Sequence, residues 1–438
     1  MAKIVLTTYG SSGDLNPILA LGLGLQARGH TIVVAVEKAH RAAVMAAGLV
    51  AYDLPGDTAA VWMPYRHMIF GELSPFTFIK VLLENGILPT LPETVRSLRD
   101  VCLGADLLVA TVQQAAAGIV AELTRIPWVS VALSPALVPS ASVEIHPALD
   151  VVPHHLRPLV NRAAWGAAVP LSRRFWDPPI NRVRTMYGLR PRRDALTLGS
   201  RSPFLTAVAV SPIFFPRPKD WPPYARLTGF MYWDTPHEWI ASASLTSFLD
   251  DPRPLVAVSS GSMAPLVGDV FEPFYRTSIT AIRRSGARAI VIGASPDTFS
   301  RPLPPDVLAV PFVPFSQVYP HCAAVIHHGG IGTMAQCLRA GVPELVVPWG
   351  VDQYFHGARV TRLGAGRWMR RRTYTPPRAS QALNLLIHQS QYRERSRAIA
   401  GRIAHEDGVV NLCTEIDALL DRAGQADATN HPTRFIGA

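Results

Sequence analysis

Residues 311–360 read PFVPFSQVYPHCAAVIHHGGIGTMAQCLRAGVPELVVPWGVDQYFHGARV, and the rest of the chain is best understood outward from them. Ala323 to His327 is a short apolar run of the kind buried in a parallel sheet, and His328-Gly-Gly-Ile-Gly332 is a glycine-rich turn. A helix is predicted from about Thr333. Met334, Cys337 and Leu338 recur at helical spacing, Gly341 suits a C′ position, and Pro343 blocks continuation before the next strand, Glu344 to Val347. Such a turn leaves the first N–H groups of the helix unpaired, at the end where the helix dipole favours an anion, so phosphate is the natural occupant. His328 adds a donor and Thr333 a hydroxyl, while the missing Cβ atoms of Gly329, Gly330 and Gly332 let an anion come close to the backbone. Asp352 and Gln353 follow the next strand, and a carboxylate beside a carboxamide suits the hydroxyls of a sugar.

The order HHGGIGT, AGVP, DQ resembles the donor-binding signature of family 1 glycosyltransferases, which use UDP- or dTDP-sugars. That resemblance implies an α/β chain of the GT-B type: two facing Rossmann-like domains, with a C-terminal helix crossing back to the first. It implies that His328 and the amides around Gly330, Gly332 and Thr333 hold a diphosphate, and that Asp352 and Gln353 hold the donor sugar. The plant form of the motif has a base-stacking tryptophan where this chain has Phe312, and a ribose-binding glutamate where it has Gln336. Phe312 still stacks and Gln336 still bonds hydroxyls, so the base is left open between uracil and thymine. A turn bearing two solvated histidines is the plain alternative, but it leaves AGVP and DQ unexplained.

With 438 residues and 17% charged side chains, the chain has an ordinary globular composition and enough length for two domains. Its net charge of +10 allows an acidic partner. Lysine occurs only at Lys3, Lys38, Lys80 and Lys219, however, so the excess is arginine and equally reflects codon bias; no nucleic-acid-binding motif accompanies it. The four cysteines form no CxxC pair, so neither zinc nor a disulfide framework is expected and a reducing cytoplasm fits. The apolar run in MAKIVLTTYG is far too short for a signal peptide, and no stretch approaches the roughly 20 apolar residues of a spanning helix. A soluble or membrane-peripheral protein is expected.

Lys3 to Thr8 is a predicted strand, and Asn16 and Pro17 are a suitable N-cap and N1 residue for the helix that follows. Gly29 ends that helix before the strand Thr31 to Val36, completing a βαβ unit, although GSSGD is not a dinucleotide fingerprint. Asp14 lies just past the first strand, where open α/β sheets place ligands. Read alone, it is a helix-capping carboxylate or a functional one. Family 1 enzymes carry a general-base histidine in a glycine-histidine-x-x-proline loop, and Gly13-Asp14-Leu15-Asn16-Pro17 resembles the version with aspartate found in bacterial and sterol-modifying branches. The histidine enzymes orient their base with an aspartate about a hundred residues later, where Thr111 stands here; an aspartate base needs no such partner.

Trp62, Met63, Phe70 and Phe76 lie in aromatic, proline-broken segments read as loops, which either line an apolar acceptor pocket or pack on their own domain. Residues 154–193 interleave arginines such as Arg157, Arg162, Arg173 and Arg174 with Leu159, Trp165, Leu171 and Phe175. That pattern suits either an anionic membrane surface or a solvated helix face with its apolar side on the core. The segment also resembles the rhamnosyltransferase subunit of rhamnolipid synthesis. The expected organisation is an acceptor domain over 1–215, a proline-rich linker over 216–235, a donor domain over 236–400, and a crossing helix and tail over 401–438. Leu255 to Ser259 is a strand ending in Ser260-Gly-Ser262, and the resemblance gives Ser262 the donor phosphate.

Together these readings describe an inverting hexosyltransferase. Asp14 deprotonates an acceptor hydroxyl, the glycine turn stabilises the leaving diphosphate, and no metal or other cofactor is required. The resemblance implies a lipophilic acceptor such as a hydroxy-lipid, sterol or phenolic. Two alternatives stay open: a nucleotide-sugar epimerase, and a catalytically silent subunit that binds nucleotide-sugar.

Overall fold

The chain builds two parallel sheets whose central strands are buried along their length. The computed structural model describes residues 1–69, 75–143, 152–233, 239–262, 268–350 and 352–428. In the first sheet, β1 (Lys3–Thr7), β2 (Thr31–Glu37), β3 (Val50–Leu54), β4 (Leu107–Thr111), β5 (Trp128–Ala132), β6 (Leu205–Val208) and β7 (Ala225–Leu227) lie in the order β3-β2-β1-β4-β5-β6-β7. In the second, β8 (Leu255–Ser259), β9 (Arg288–Ile292), β10 (Val307–Val310), β11 (Ala324–His327), β12 (Glu344–Val346) and β13 (Gly366–Trp368) follow the order β10-β9-β8-β11-β12-β13. Strand order reverses between β1 and β4 in one sheet and between β8 and β11 in the other. Crevices beyond those strand ends are where open parallel sheets bind ligands. Register pairs Thr7 with Ala110 and His327 with Ser259, which fixes where the two crevice loops leave their sheets.

Three local expectations are corrected. The first helix runs over Ser12–Ala27, so it begins before Asn16, and Pro17 lies inside it. Ser11 is the true N-cap: its Oγ accepts from Gly13 N at 3.2 Å, while the Asp14 carboxylate accepts from Ser11 N at 2.8 Å, a reciprocal capping box. Pro17 is tolerated because its missing N–H leaves only a first-turn carbonyl unbonded, at the exposed Gly13. Second, Trp62 and Met63 sit on a helix, Thr58–Ile69, that carries Pro64 within it, and Pro75 opens another, Pro75–Leu82. Among the described residues neither segment is a loop; Pro75 stands in the first turn, where a proline costs least. Phe70 and the side chain of Phe76 lie outside the described residues. Third, β7 falls within the expected linker 216–235, so the first sheet reaches beyond residue 215; the prolines occupy the loop before this edge strand.

The terminal helix, Gly408–Ala428, does cross back. Leu412, Cys413, Ile416 and Leu419 join the first domain's core beside Ile18, Leu21 and Leu25. Glycine at 24 makes the approach possible, because a Cβ there would stand 2.4 Å from Val409 Cγ1 and 3.1 Å from Cys413 Sγ. Arg28 and His30 pair with Asp417 at 2.6 and 2.9 Å. The two domains also share an apolar cluster: Ala132, Val208, Phe214, Phe215 and Trp221 of the first pack with Met334, Leu338, Phe355 and Val360 of the second. Such a seam holds the crevices face to face.

Candidate active site

Three loops converge at the domain boundary. From the first domain, the end of β1 leads through Tyr9 and Gly10 to the capped first helix. From the second come the Ser260-Gly-Ser262 turn after β8 and the His328–Gly332 turn after β11. Ser262 Oγ donates to Ser11 Oγ at 2.9 Å, so the two domains touch at the cap of the helix that carries Asp14.

Asp14 is half-buried. One carboxylate oxygen accepts from Ser11 N at 2.8 Å and Ser11 Oγ at 3.1 Å, and the other from Gln113 Nε2 at 3.3 Å. The capping reading of this residue is thereby realised, and its second oxygen is held by a side chain from the loop after β4. Burial is the main cause that pushes its pKa up to about 6; the Ser11 hydrogen bonds oppose this, the negative charge of Asp352 across the cleft adds to it, and His40 opposes it. Thr111 does not reach the carboxylate, since its hydroxyl bonds that of Thr8 at 3.1 Å. Gln113, two residues on, is the side chain that does. It went unrecognised because it stands just beyond β4, where the strand pattern stops. Ser11 had a legible signal in the Ser-x-x-Asp spacing.

On the second domain, Gly330 caps the helix Ile331–Ala340, and Gly329 adopts φ +95°. The His328 ring lies between two glycines. A Cβ at Gly261 would be 2.3 Å from His328 Cε1, and one at Gly330 would be 2.4 Å from His328 Nε2. Gly261 was passed over in the sequence, where it reads only as part of a small-residue turn. Burial lowers the His328 pKa to about 4 against the pull of the Ser259 carbonyl, so the ring is neutral at pH 7 and offers one donor. Among the described residues no partner meets hydrogen-bond geometry at its buried Nδ1. Thr333 and Gln336 are buried on the same helix, Gly332 opens to free space, and Phe312 stands 63% exposed.

Beneath the turn, fully buried His327 accepts Gly329 N–H at Nδ1 (3.0 Å) and meets Glu344 Oε2 with Nε2 at 2.8 Å. These two residues and Cys337 bring a ring nitrogen, a carboxylate and a thiol within 4.8 Å of one another, though His327 and Glu344 stand at hydrogen-bond separation. Asp352 stands at the N-cap position of the helix Gln353–Leu363 with no capping bond from its side chain, and Gln353 Oε1 accepts from Trp349 N (2.7 Å) and Gly350 N (3.1 Å). On the acceptor side, a Cβ at Gly86 would lie 2.6 Å from Tyr9 Oη and 3.4 Å from Val61 Cγ1. The helix bearing Trp62 and Met63 therefore borders the loop leading to Asp14, and Trp62 meets Phe78 edge-on at 5.8 Å.

Along 432 residues the chain is 32% identical to O-mycaminosyltylonolide 6-deoxyallosyltransferase of Streptomyces fradiae, a match covering 95% of this chain and 97% of that protein. The chain is a family 1 glycosyltransferase. Residues 287–418 of this glycosyltransferase match the family described as erythromycin biosynthesis protein CIII-like, C-terminal domain. It is 27% identical over 438 residues to the sterol 3-beta-glucosyltransferase of Neosartorya fischeri, a match covering 96% of this chain but spanning only 30% of that longer protein. In fold it resembles the glycosyltransferase VinC, solved in complex with dTDP, with a TM-score of 0.67, 18% identity, and coverage of 96% of this chain and 100% of that one. The two facing sheets are thus those of a GT-B glycosyltransferase.

Proposed function

We propose that the cleft moves a hexose, glucose or rhamnose, from a UDP- or dTDP-sugar to a hydroxyl of a lipophilic small molecule. The observation that carries this reading is the half-buried carboxyl of Asp14, raised to a pKa of about 6 and joined through Ser11 to Ser262 of the facing domain. The acceptor oxygen attacks C1 of the sugar as Asp14 takes its proton, and the bond from C1 to the diphosphate oxygen breaks. One base on the acceptor side and a leaving group on the other give inversion at C1. His328, the amides after Gly330 and the hydroxyl of Thr333 receive the diphosphate, Asp352 and Gln353 receive the sugar, and Phe312 and Gln336 receive the base and ribose. The relatives named for macrolide and sterol acceptors support an apolar acceptor, and the dTDP complex of VinC supports dTDP among donors.

The test is a donor-by-acceptor panel read by mass spectrometry. Transfer shows as an acceptor heavier by one sugar residue, with nucleoside diphosphate released only when acceptor is present. Conversion of donor alone would make the protein an epimerase, and binding without turnover on the whole panel would make it a silent subunit.

We also propose a cytoplasmic protein that rests on anionic lipid through the helix Arg157–Phe175. Of that helix only Asn161 and Ser172 are buried, and Trp165 and Val169 are half-buried, while Leu159 is 62% exposed and Phe175 44%, so part of its apolar surface faces outward. Arg173 is paired with Asp194, whereas Arg162 and Arg174 are exposed beside these side chains. Among the described residues no helix is long and apolar enough to cross a membrane. Sedimentation with phosphatidylglycerol vesicles but not phosphatidylcholine vesicles, reduced by Leu159→Glu, is expected; no sedimentation with either defeats the proposal.

A further inference from the structure

His356 is fully buried and lies one helical turn beyond Asp352. Its Nδ1 is 2.7 Å from the carbonyl oxygen of Gly329, and its Nε2 is 3.0 Å from Oγ of Ser134, at the far end of β5 in the other domain. A carbonyl only accepts, so Nδ1 carries the hydrogen, and in the neutral ring Nε2 accepts the Ser134 hydroxyl. Asp352 Oδ2 stands 3.7 Å from the same Nε2. The ring also packs edge-on against Phe214 at 6.2 Å, within the apolar seam between the domains. Gly329 is thus held at both backbone polar groups, its N–H by His327 and its carbonyl by His356.

We propose that His356 is a positioning residue that ties the diphosphate-binding turn to the acceptor domain, fixing the distance between the donor's anomeric carbon and the base. It touches neither substrate; it acts through Gly329 on one side and Ser134 on the other. This rests on the transferase reading above. A hydrogen-bonded link buried in the seam sets the spacing without any ligand, and small misplacement of reacting groups costs rate far more than it costs affinity.

The structure separates the two arms of the link, so variants can separate them too. Ser134→Ala cuts the arm to the acceptor domain and leaves the one to Gly329; it also removes the short-range bond that Ser134 Oγ accepts from Ala136 N at 3.3 Å, which Ser134→Thr retains. His356→Asn keeps a donor near the Nδ1 position for Gly329 and cannot reach Ser134, whereas His356→Ala removes both arms. With dTDP and UDP as calorimetric probes, Ser134→Ala and His356→Asn are expected to bind within about threefold of wild type while turnover at saturating donor falls about tenfold. His356→Ala is expected to weaken both probes as well. The double variant Ser134→Ala/His356→Asn should lose no more turnover than either alone, because one link is cut twice, and Ser134→Thr should restore most of the rate. Wild-type turnover in Ser134→Ala and His356→Asn, or losses that multiply in the double variant, would overturn the inference. Inactive wild type on every donor would instead defeat the transferase reading, and the binding contrast between His356→Asn and His356→Ala would still report on the turn.

Discussion

Replacing Asp14 with asparagine changes charge and almost nothing else, so it isolates what the carboxylate does. Asparagine retains an acceptor for Ser11 N, and the capping box therefore survives in large part. As a general base Asp14 must be ionised. With a pKa of about 6, about one molecule in eleven is competent at pH 5 and about ten in eleven at pH 7, so kcat/KM for wild type should rise roughly tenfold between them and level off above. In Asp14→Asn, turnover should fall by about 10²- to 10⁴-fold and this rise should vanish. The same shift has a stability consequence. Asp14 holds its proton more tightly folded than unfolded, so between about pH 4 and pH 6 the folded state binds more protons, and stability falls as pH rises through that window. Above it the ionised carboxyl costs at most roughly 3 kcal/mol, at about 1.4 kcal/mol per pKa unit, an upper bound that solvent at the half-buried group lowers. Asp14→Asn should therefore melt no lower than wild type at pH 8. The assays are initial rates across pH 5–8 and thermal melts at pH 5 and 8. A variant that keeps more than half of wild-type turnover, or a wild-type profile flat from pH 5 to 7, would refute Asp14 as the base.

Three further outcomes are expected. His328→Ala should weaken dTDP and UDP themselves, whereas Asp352→Ala should weaken only the intact nucleotide-sugar; equal losses for the bare nucleotide in both, by calorimetry, would mean the roles are misassigned. Initial rates after exhaustive chelation should match those with added Mg²⁺ or Mn²⁺, because in the proposed reaction the amides of the glycine turn, a helix dipole and His328 stabilise the leaving group; a more than tenfold loss restored by metal would defeat this chemistry. Gly24→Ala should destabilise by about 1–3 kcal/mol in spite of alanine's better helix propensity, since its Cβ would meet the stiff Val409 side chain, and Val409→Ala should relieve the loss in a denaturant titration of the pair.

The strand, turn and helix around His328 were legible because each boundary has its own local marker: the glycines open the helix and Gly341 with Pro343 closes it. The start of the first helix was not, because Asn16-Pro17 is a stronger local pattern than Ser11-x-x-Asp14, and only the contact of Asp14 with the Ser11 amide shows which one caps. Pro64 misled in the same way, since packing of Thr58–Ile69 against its neighbours overrides what a proline does to an isolated helix. The partners of the site residues lay further out of reach. Gln113 meets Asp14 from 99 residues away, and Ser134 meets His356 across 222 residues. No periodicity or spacing encodes such pairs; the first exists once β1 and β4 lie side by side, the second only once the seam between the sheets has formed.

A crystal structure of the protein with dTDP bound would test the central claim most directly. The account predicts the diphosphate on the turn after β11, within hydrogen-bond distance of His328 and the amides of Gly332 and Thr333, with thymine against Phe312 and the outer phosphate opening toward Asp14 and Asp352. A diphosphate seated instead on the Tyr9–Ser11 loop, or one that leaves His328 and the Gly329–Gly332 turn untouched, would contradict it.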